Sequence, residues 1–179
     1  MTDANKSGQG SLLATAMADA IVRGAERAGI DSCVYLPDSV LTGTIRKFES
    51  SGKFLMLPCA REDEGIAAAV GLYIGGRSPI CLMESSGLGY SPLILARAIA
   101  QRTPVFIVAS HGYGPGELFD YHCATFLVAE GVFRGLNIPY SIASNIESLD
   151  DLVERSVQTT RGQLTCYGVI VPPYLTRDR

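Results

Sequence analysis

Residues 79–109 read PICLMESSGLGYSPLILARAIAQRTPVFIVA. An apolar run from Pro79 to Met83 gives way to a glycine loop, Ser85-Ser86-Gly87-Leu88-Gly89. A helical stretch from about Pro92 to Gln101 follows, and then the most apolar run of the chain, Val105 to Ala109. Neither run alternates polar with apolar residues, as expected of strands covered on both faces. Strand, helix and strand in this order predict a parallel sheet.

The same alternation extends in both directions. Upstream, Leu12, Leu13, Ala16, Met17, Ala20 and Ile21 recur at helical spacing behind a predicted Ser11 cap, and Gly29 closes that helix. Strands are predicted at Cys33–Leu36 and Phe54–Leu57, with helices at about Val40–Glu49 and Glu62–Ile74, the second stopped by Gly75-Gly76. Downstream come a helix over His122–Leu136, a strand over Tyr140–Ala143, a helix capped by Ser148 and a strand over Tyr167–Val171. The expectation is one α/β domain over residues 11–175. It has three layers and a mostly parallel six-stranded sheet, preceded by a flexible tail over residues 1–10.

Composition agrees. The 179 residues are 47% hydrophobic and 18% charged, which suits a packed globule rather than a disordered chain. A net charge of −3 leaves no electrostatic footprint for nucleic acid or an anionic membrane, and no run is long enough to span a bilayer. Mean hydropathy is +0.20, slightly high for so small a chain, which hints at apolar surface kept for a partner. The five scattered cysteines form no CxxC pair and read as free thiols in a reducing cytoplasm.

In open parallel sheets ligands bind beyond the carboxyl ends of the strands. That rule selects Pro37-Asp38-Ser39, Cys59–Glu64, Glu84–Tyr90 and Ser110–Glu117. Neither glycine loop fits a phosphate-binding fingerprint. Glu62-Asp63-Glu64 opens a predicted helix, where carboxylates commonly satisfy the free N–H groups and the dipole. Facing separates the three: at about 100° per residue, Glu62 falls on the stripe of Ile66, Ala69, Val70 and Tyr73, whereas Glu64 lies nearly opposite. A carboxylate on the apolar stripe is either a costly cap or a functional group. The only two histidines, His111 and His122, fall in or near the second glycine loop, on the predicted ligand edge. No spacing of His and Cys suggests a metal site in this chain. Asp38 and Ser39 read either as substrate-side groups or as a turn and helix cap.

Four segments together, Cys59-Ala-Arg-Glu-Asp-Glu-Gly, Gly71-Leu-Tyr-Ile-Gly-Gly, Met83-Glu-Ser-Ser-Gly-Leu-Gly and Ser110-His-Gly-Tyr-Gly-Pro-Gly-Glu, resemble the pyrimidine-binding domain of thiamine-diphosphate-dependent decarboxylases. The likeness is nearest to the alpha subunit of sulfopyruvate decarboxylase and the matching half of phosphonopyruvate decarboxylase. It implies that Glu62 hydrogen-bonds the aminopyrimidine of thiamine diphosphate and relays a proton. It implies that Ser85, Ser86, Gly87 and Leu88 border that ring. His111 and His122 would then handle substrate or protons, with Asp38, Ser39 and His111 on the substrate side. The family's Met-Gln-Asn-Ser-Gly-Leu-Gly-Asn pattern is altered here, with Glu84, Ser85 and Tyr90 replacing Gln, Asn and Asn. Gly112 stands where sulfopyruvate-type enzymes tend to carry Arg. These changes remove polar or cationic groups and add an anion, leaving a sulfopyruvate-like or a less charged 2-oxo acid open as substrate.

The chain has no Gly-Asp-Gly, the segment with which such enzymes hold diphosphate and Mg²⁺. The resemblance therefore implies half of an enzyme, completed by a beta subunit in a hetero-oligomer. A carboligase subunit and a non-catalytic flavodoxin-like regulatory module are the alternatives.

Overall fold

The computed structural model describes residues 3–112, 120 and 122–176, without the side chains of 3–11 and 124–126. In chain order the elements are α1 (Asp3–Arg27), β1 (Ser32–Tyr35), α2 (Thr42–Ser51), β2 (Leu55–Pro58), α3 (Glu62–Ile74), β3 (Pro79–Glu84), α4 (Pro92–Ala100), β4 (Val105–Ser110), α5 (His122–Gly135), β5 (Tyr140–Ile142), α6 (Leu149–Gln163) and β6 (Cys166–Val171). A 3₁₀ segment spans Ser85–Tyr90. All five strand pairings are parallel, in the order β2-β1-β3-β4-β6-β5. The sheet is thus wholly rather than mostly parallel.

Strand alternation divides the core in two. Cys33, Ile80, Leu82, Phe106, Val108, Val169 and Val171 face α1, α2 and α6, against Met17, Ile21, Phe48 and Val153. Val34, Cys81, Met83, Ile107, Ala109 and Ile170 face the other way, against Ile66 and Ala69 of α3, Leu95 of α4 and Phe133 of α5. The central strands β3 and β4 are buried almost throughout, while β2 and β5 lie at the edges and are partly exposed. This is the three-layer arrangement expected of non-alternating apolar runs.

Three local expectations are corrected. The stretch read as a tail is helical from Asp3, so α1 begins eight residues before the predicted Ser11 cap. Extending a formed helix gains a backbone hydrogen bond per residue without a new nucleus. The first glycine loop is a 3₁₀ helix, not an irregular loop. Ser148 occupies the N-cap position of α6 without capping it, because its hydroxyl donates to Asn145 Oδ1 at 2.8 Å, and that same oxygen accepts the Ser148 N–H at 2.9 Å.

The strand order contains a reversal that positions the site. From β1 the chain crosses to β2 on one side, returns through α3, and enters β3 on the opposite side of β1. Loops leaving the carboxyl ends of β1 and β3 therefore run in opposite directions and open a crevice, the place where open parallel sheets take their ligands.

Candidate functional site

At the head of α3 the three carboxylates have three different environments. Asp63 forms a two-pronged pair with Arg61, whose Nε and Nη2 each lie 3.0 Å from a carboxylate oxygen. That pairing draws the Asp63 carboxyl below its ordinary range. Glu64 is exposed and accepts the Ala60 N–H at 2.9 Å, so it serves the helix end as an ordinary cap does. Glu62 does neither. It is half-buried, on the same face as the buried Ile66 and Ala69, and its carboxylate has no hydrogen-bond or ion-pair partner among the described residues. Helical facing thus sets Glu62 apart from the two carboxylates that serve the helix end and Arg61.

The Glu62 side chain lies in a hollow formed by Gly87. A Cβ built on Gly87 would collide with Glu62 Cγ, Cδ and Oε1. Gly87 is not among the residues with positive φ, so close approach rather than backbone conformation accounts for glycine here. Two residues on, a Cβ on Gly89 would stand 3.1 Å from Val128 Cγ1 of α5. Between them Leu88 is fully buried in the core. The 3₁₀ segment is therefore wedged between α3 and α5, one glycine against each and a leucine anchor between them. Any approach of a ligand at Leu88 is to its backbone. Ser85 is fully buried and Ser86 half-buried beside this contact. Tyr90 closes the segment, with the Arg61 guanidinium 5.5 Å from its ring centroid.

On the other side of the crevice, Asp38 is held at both oxygens. The Leu41 N–H donates to Oδ1 at 2.7 Å, and the Ser110 hydroxyl donates to Oδ2 at 2.9 Å. The first bond is the turn-and-cap role weighed for Asp38; the second ties the loop after β1 to the end of β4. Ser39 is exposed beside it. His111 follows Ser110, is buried, and donates its N–H to Val171 O of β6 at 2.9 Å. His122 is half-buried at the first position of α5. Gly114, Pro115, Gly116 and Glu117 of the second glycine loop lie outside the described residues. Glu62 and Gly87 thus meet on the α3 side of the carboxyl edge, and Asp38 and Ser110 join on the α2 side, with His111 the next residue of the chain.

Sequence reasoning did not find Ser110 as the holder of Asp38 or Gly87 as the seat of Glu62. Each partner lies in a different loop, and nothing local marks the pair. Of the free cysteines, Cys33, Cys81 and Cys166 are buried in the sheet, where burial raises their thiols above the ordinary range, Cys166 up to about 12. Cys59 is half-buried and Cys123 exposed. Among the described residues no group of three or more His, Cys, Asp or Glu is placed to hold a metal ion, and no helix is long and apolar enough to cross a membrane.

Comparison with known proteins adds relatives to this geometry. Over 148 residues, 80% of this chain and 90% of the relative, it is 28% identical to sulfopyruvate decarboxylase subunit alpha of Methanothermobacter thermautotrophicus. The chain resembles sulfopyruvate decarboxylase alpha subunits. A second such subunit, from Methanococcus maripaludis, is 29% identical over 94 residues, 52% of this chain and 56% of that one. Among solved structures, the fold matches 2-oxoglutarate:ferredoxin oxidoreductase from Magnetococcus marinus, with bound 2-oxoglutarate, coenzyme A and succinyl-CoA, at a TM-score of 0.72. That match is 16% identical and covers 90% of this chain but 29% of the oxidoreductase chain, so it speaks for the fold. The shared fold is one α/β domain on a six-stranded, wholly parallel sheet. No protein-family model matches the chain.

Proposed function

We propose that this chain is the alpha subunit of a two-component, thiamine-diphosphate-dependent decarboxylase of a 2-oxo acid. Its partner is a beta subunit that supplies the diphosphate and Mg²⁺ site. The observation that carries the reading is Glu62, a half-buried carboxylate without a partner among the described residues, lying in the hollow of Gly87. The relatives' name, sulfopyruvate decarboxylase subunit alpha, supports both the reaction and the partner.

The residues fit the cofactor's aminopyrimidine. A carboxylate with its acceptor capacity uncommitted can take or give a proton at a ring nitrogen, and the missing side chain at Gly87 leaves room for the Glu62 carboxylate itself. When bound, thiamine diphosphate supplies the carbon nucleophile and the electron sink for loss of CO₂. Glu62 holds the exchanging proton at its carboxylate, one helical turn before the buried Ile66 on the same face of α3. Gly87 and Gly89, wedged against α3 and α5, fix the 3₁₀ segment and so the orientation of Glu62. Asp38, anchored by Leu41 N–H and the Ser110 hydroxyl, and His111, anchored by its own N–H, present polar groups toward the substrate side. In the net reaction the bond between the carboxylate and the 2-oxo carbon breaks, CO₂ departs, and a proton takes its place to give the aldehyde.

The test is co-expression with the product of the neighbouring reading frame, followed by assay of CO₂ release from a panel of 2-oxo acids with thiamine diphosphate and Mg²⁺ added or withheld. Cofactor-dependent release by the pair and none from this chain alone is the expected result. Full activity of the single chain sinks the two-component reading, and no release under any condition sinks the decarboxylase.

A further inference from the structure

The central strands carry one more carboxylate, which the proposed chemistry does not use. Glu84 is the last residue of β3, half-buried, with no hydrogen-bond or ion-pair partner among the described residues. It borders the crevice where the strand order reverses between β1 and β3. Its register partner on β4 is Ser110, so the two side chains share a face of the sheet. Because β3 lies between β1 and β4, the Ser110–Asp38 hydrogen bond crosses the end of β3 where Glu84 stands. The Ser110 hydroxyl is thereby engaged with Asp38.

Charge at this edge is one-sided. In the described loops that leave the carboxyl ends of the strands, Arg61 is the one Lys or Arg, and Asp63 takes its guanidinium at two points. Lys53, Arg77 and Arg102 stand just before β2, β3 and β4, at the opposite edge. A substrate with two negative charges needs a cation for its tail as well as for its carboxylate. Here its tail would meet Glu84 instead, a like charge that rejects it.

We infer that Glu84 determines substrate class: the chain takes a monoanionic 2-oxo acid whose tail donates a hydrogen bond, and it discriminates against dianionic acids such as sulfopyruvate. The inference rests on the decarboxylase reading above. It differs from what the relatives' name says of them, and the difference is carried by one side chain at the crevice.

The test uses the assembled two-subunit complex with thiamine diphosphate and Mg²⁺, in wild-type and Glu84→Gln forms. Turnover is measured with hydroxypyruvate and with sulfopyruvate. Binding of their unreactive reduced analogues, glycerate and sulfolactate, is measured by calorimetry. The wild type is expected to favour hydroxypyruvate in kcat/KM and glycerate in affinity. Glu84→Gln, with an unchanged melting temperature, is expected to move both ratios toward the dianion by roughly ten- to a hundredfold, the worth of one charge-assisted hydrogen bond. A wild-type preference for sulfopyruvate or sulfolactate, or ratios that Glu84→Gln leaves unchanged, overturns the inference while the decarboxylase reading stands. Absence of CO₂ release from every 2-oxo acid of the panel removes that reading, and the binding ratios then decide the role of Glu84 alone.

Discussion

The two helical layers that sandwich the sheet are finished differently. In the α1/α2/α6 layer, Arg27 reaches Asp150, Asp151 and Glu154 at 3.1, 2.9 and 2.7 Å, Arg23 adds a contact to Asp150 at 3.4 Å, and Lys53 meets Glu26 at 2.7 Å. Gly24 lets α1 approach the α6 backbone so closely that a Cβ there would strike Asp150 O and Val153. In the α3/α4/α5 layer, by contrast, large apolar side chains face outward: Ile74 is 71% exposed, Tyr90 70%, Leu127 68% and Leu93 66%. Among the described residues of the first layer, Leu12 on α1 is the one comparably open apolar side chain. The small residues of α3 resolve accordingly. Gly65, Ile66 and Ala69 pack inward, while Ala67, Gly71 and Ile74 leave an apolar outer face. One layer is closed by polar contacts; the other keeps apolar surface near the head of α3, the face that the proposed beta subunit would cover.

Substitutions that break this contrast should do so on different observables. The largest expected effect is on turnover. Glu62→Gln, which keeps the shape and removes the exchangeable proton, is expected to lower kcat of the assembled complex by about 10²–10⁴-fold with the melting temperature unchanged. Full activity in this variant would remove Glu62 from the chemistry. Gly87→Ala is expected to cost activity by about tenfold or more, through displacement of the Glu62 side chain, while subunit assembly by size-exclusion chromatography stays intact. If it instead abolished folding, the hollow would be a packing feature of the core.

In the closed layer the effect falls on stability. Gly24→Ala places a methyl group against backbone, not only against movable side-chain atoms, and is expected to cost about 1–3 kcal/mol. For a chain of this size that lowers Tm by roughly 2–4 °C per kcal/mol, read by calorimetry. In the open layer, Leu93→Ser is expected to leave the stability of the isolated chain within about 0.5 kcal/mol of wild type and to weaken association with the proposed beta subunit, measured by titration calorimetry. Equal association by the variant would place the partner elsewhere.

The smallest effect is electrostatic. The Arg61 hydrogen bonds hold the Asp63 carboxyl below its ordinary range in the folded chain. Its stabilisation is therefore present above the ordinary carboxylate range and is lost as pH falls through the lowered value. Asp63→Asn should lower Tm slightly at neutral pH and converge with wild type in acid. Because the pair is at the surface, added salt should shrink the difference.

Much of the fold was legible because its determinants are local. The α3 helix runs from Glu62 to Ile74 as the apolar stripe and the Gly75-Gly76 stop predict, and the strands fall within two residues of the apolar runs at each end. Errors arose where a tertiary contact or a neighbouring side chain competes with a local rule. Ser148 looks like a cap until Asn145 takes its hydroxyl. The Ser85–Gly89 glycines read as a loop open to a ligand until α3 and α5 are found against them.

The sequence by itself determined the order and kind of the elements and which of three adjacent carboxylates faces the core. Periodicity and glycine or proline punctuation act within a few residues, so they are written in the chain. Tertiary structure alone decided that the strand order reverses between β1 and β3, that Gly87 receives Glu62, and that Asp38 is held by a serine 72 residues away. Those contacts join loops brought together only when two hydrophobic layers close on a parallel sheet, and no local pattern records which loop ends will meet.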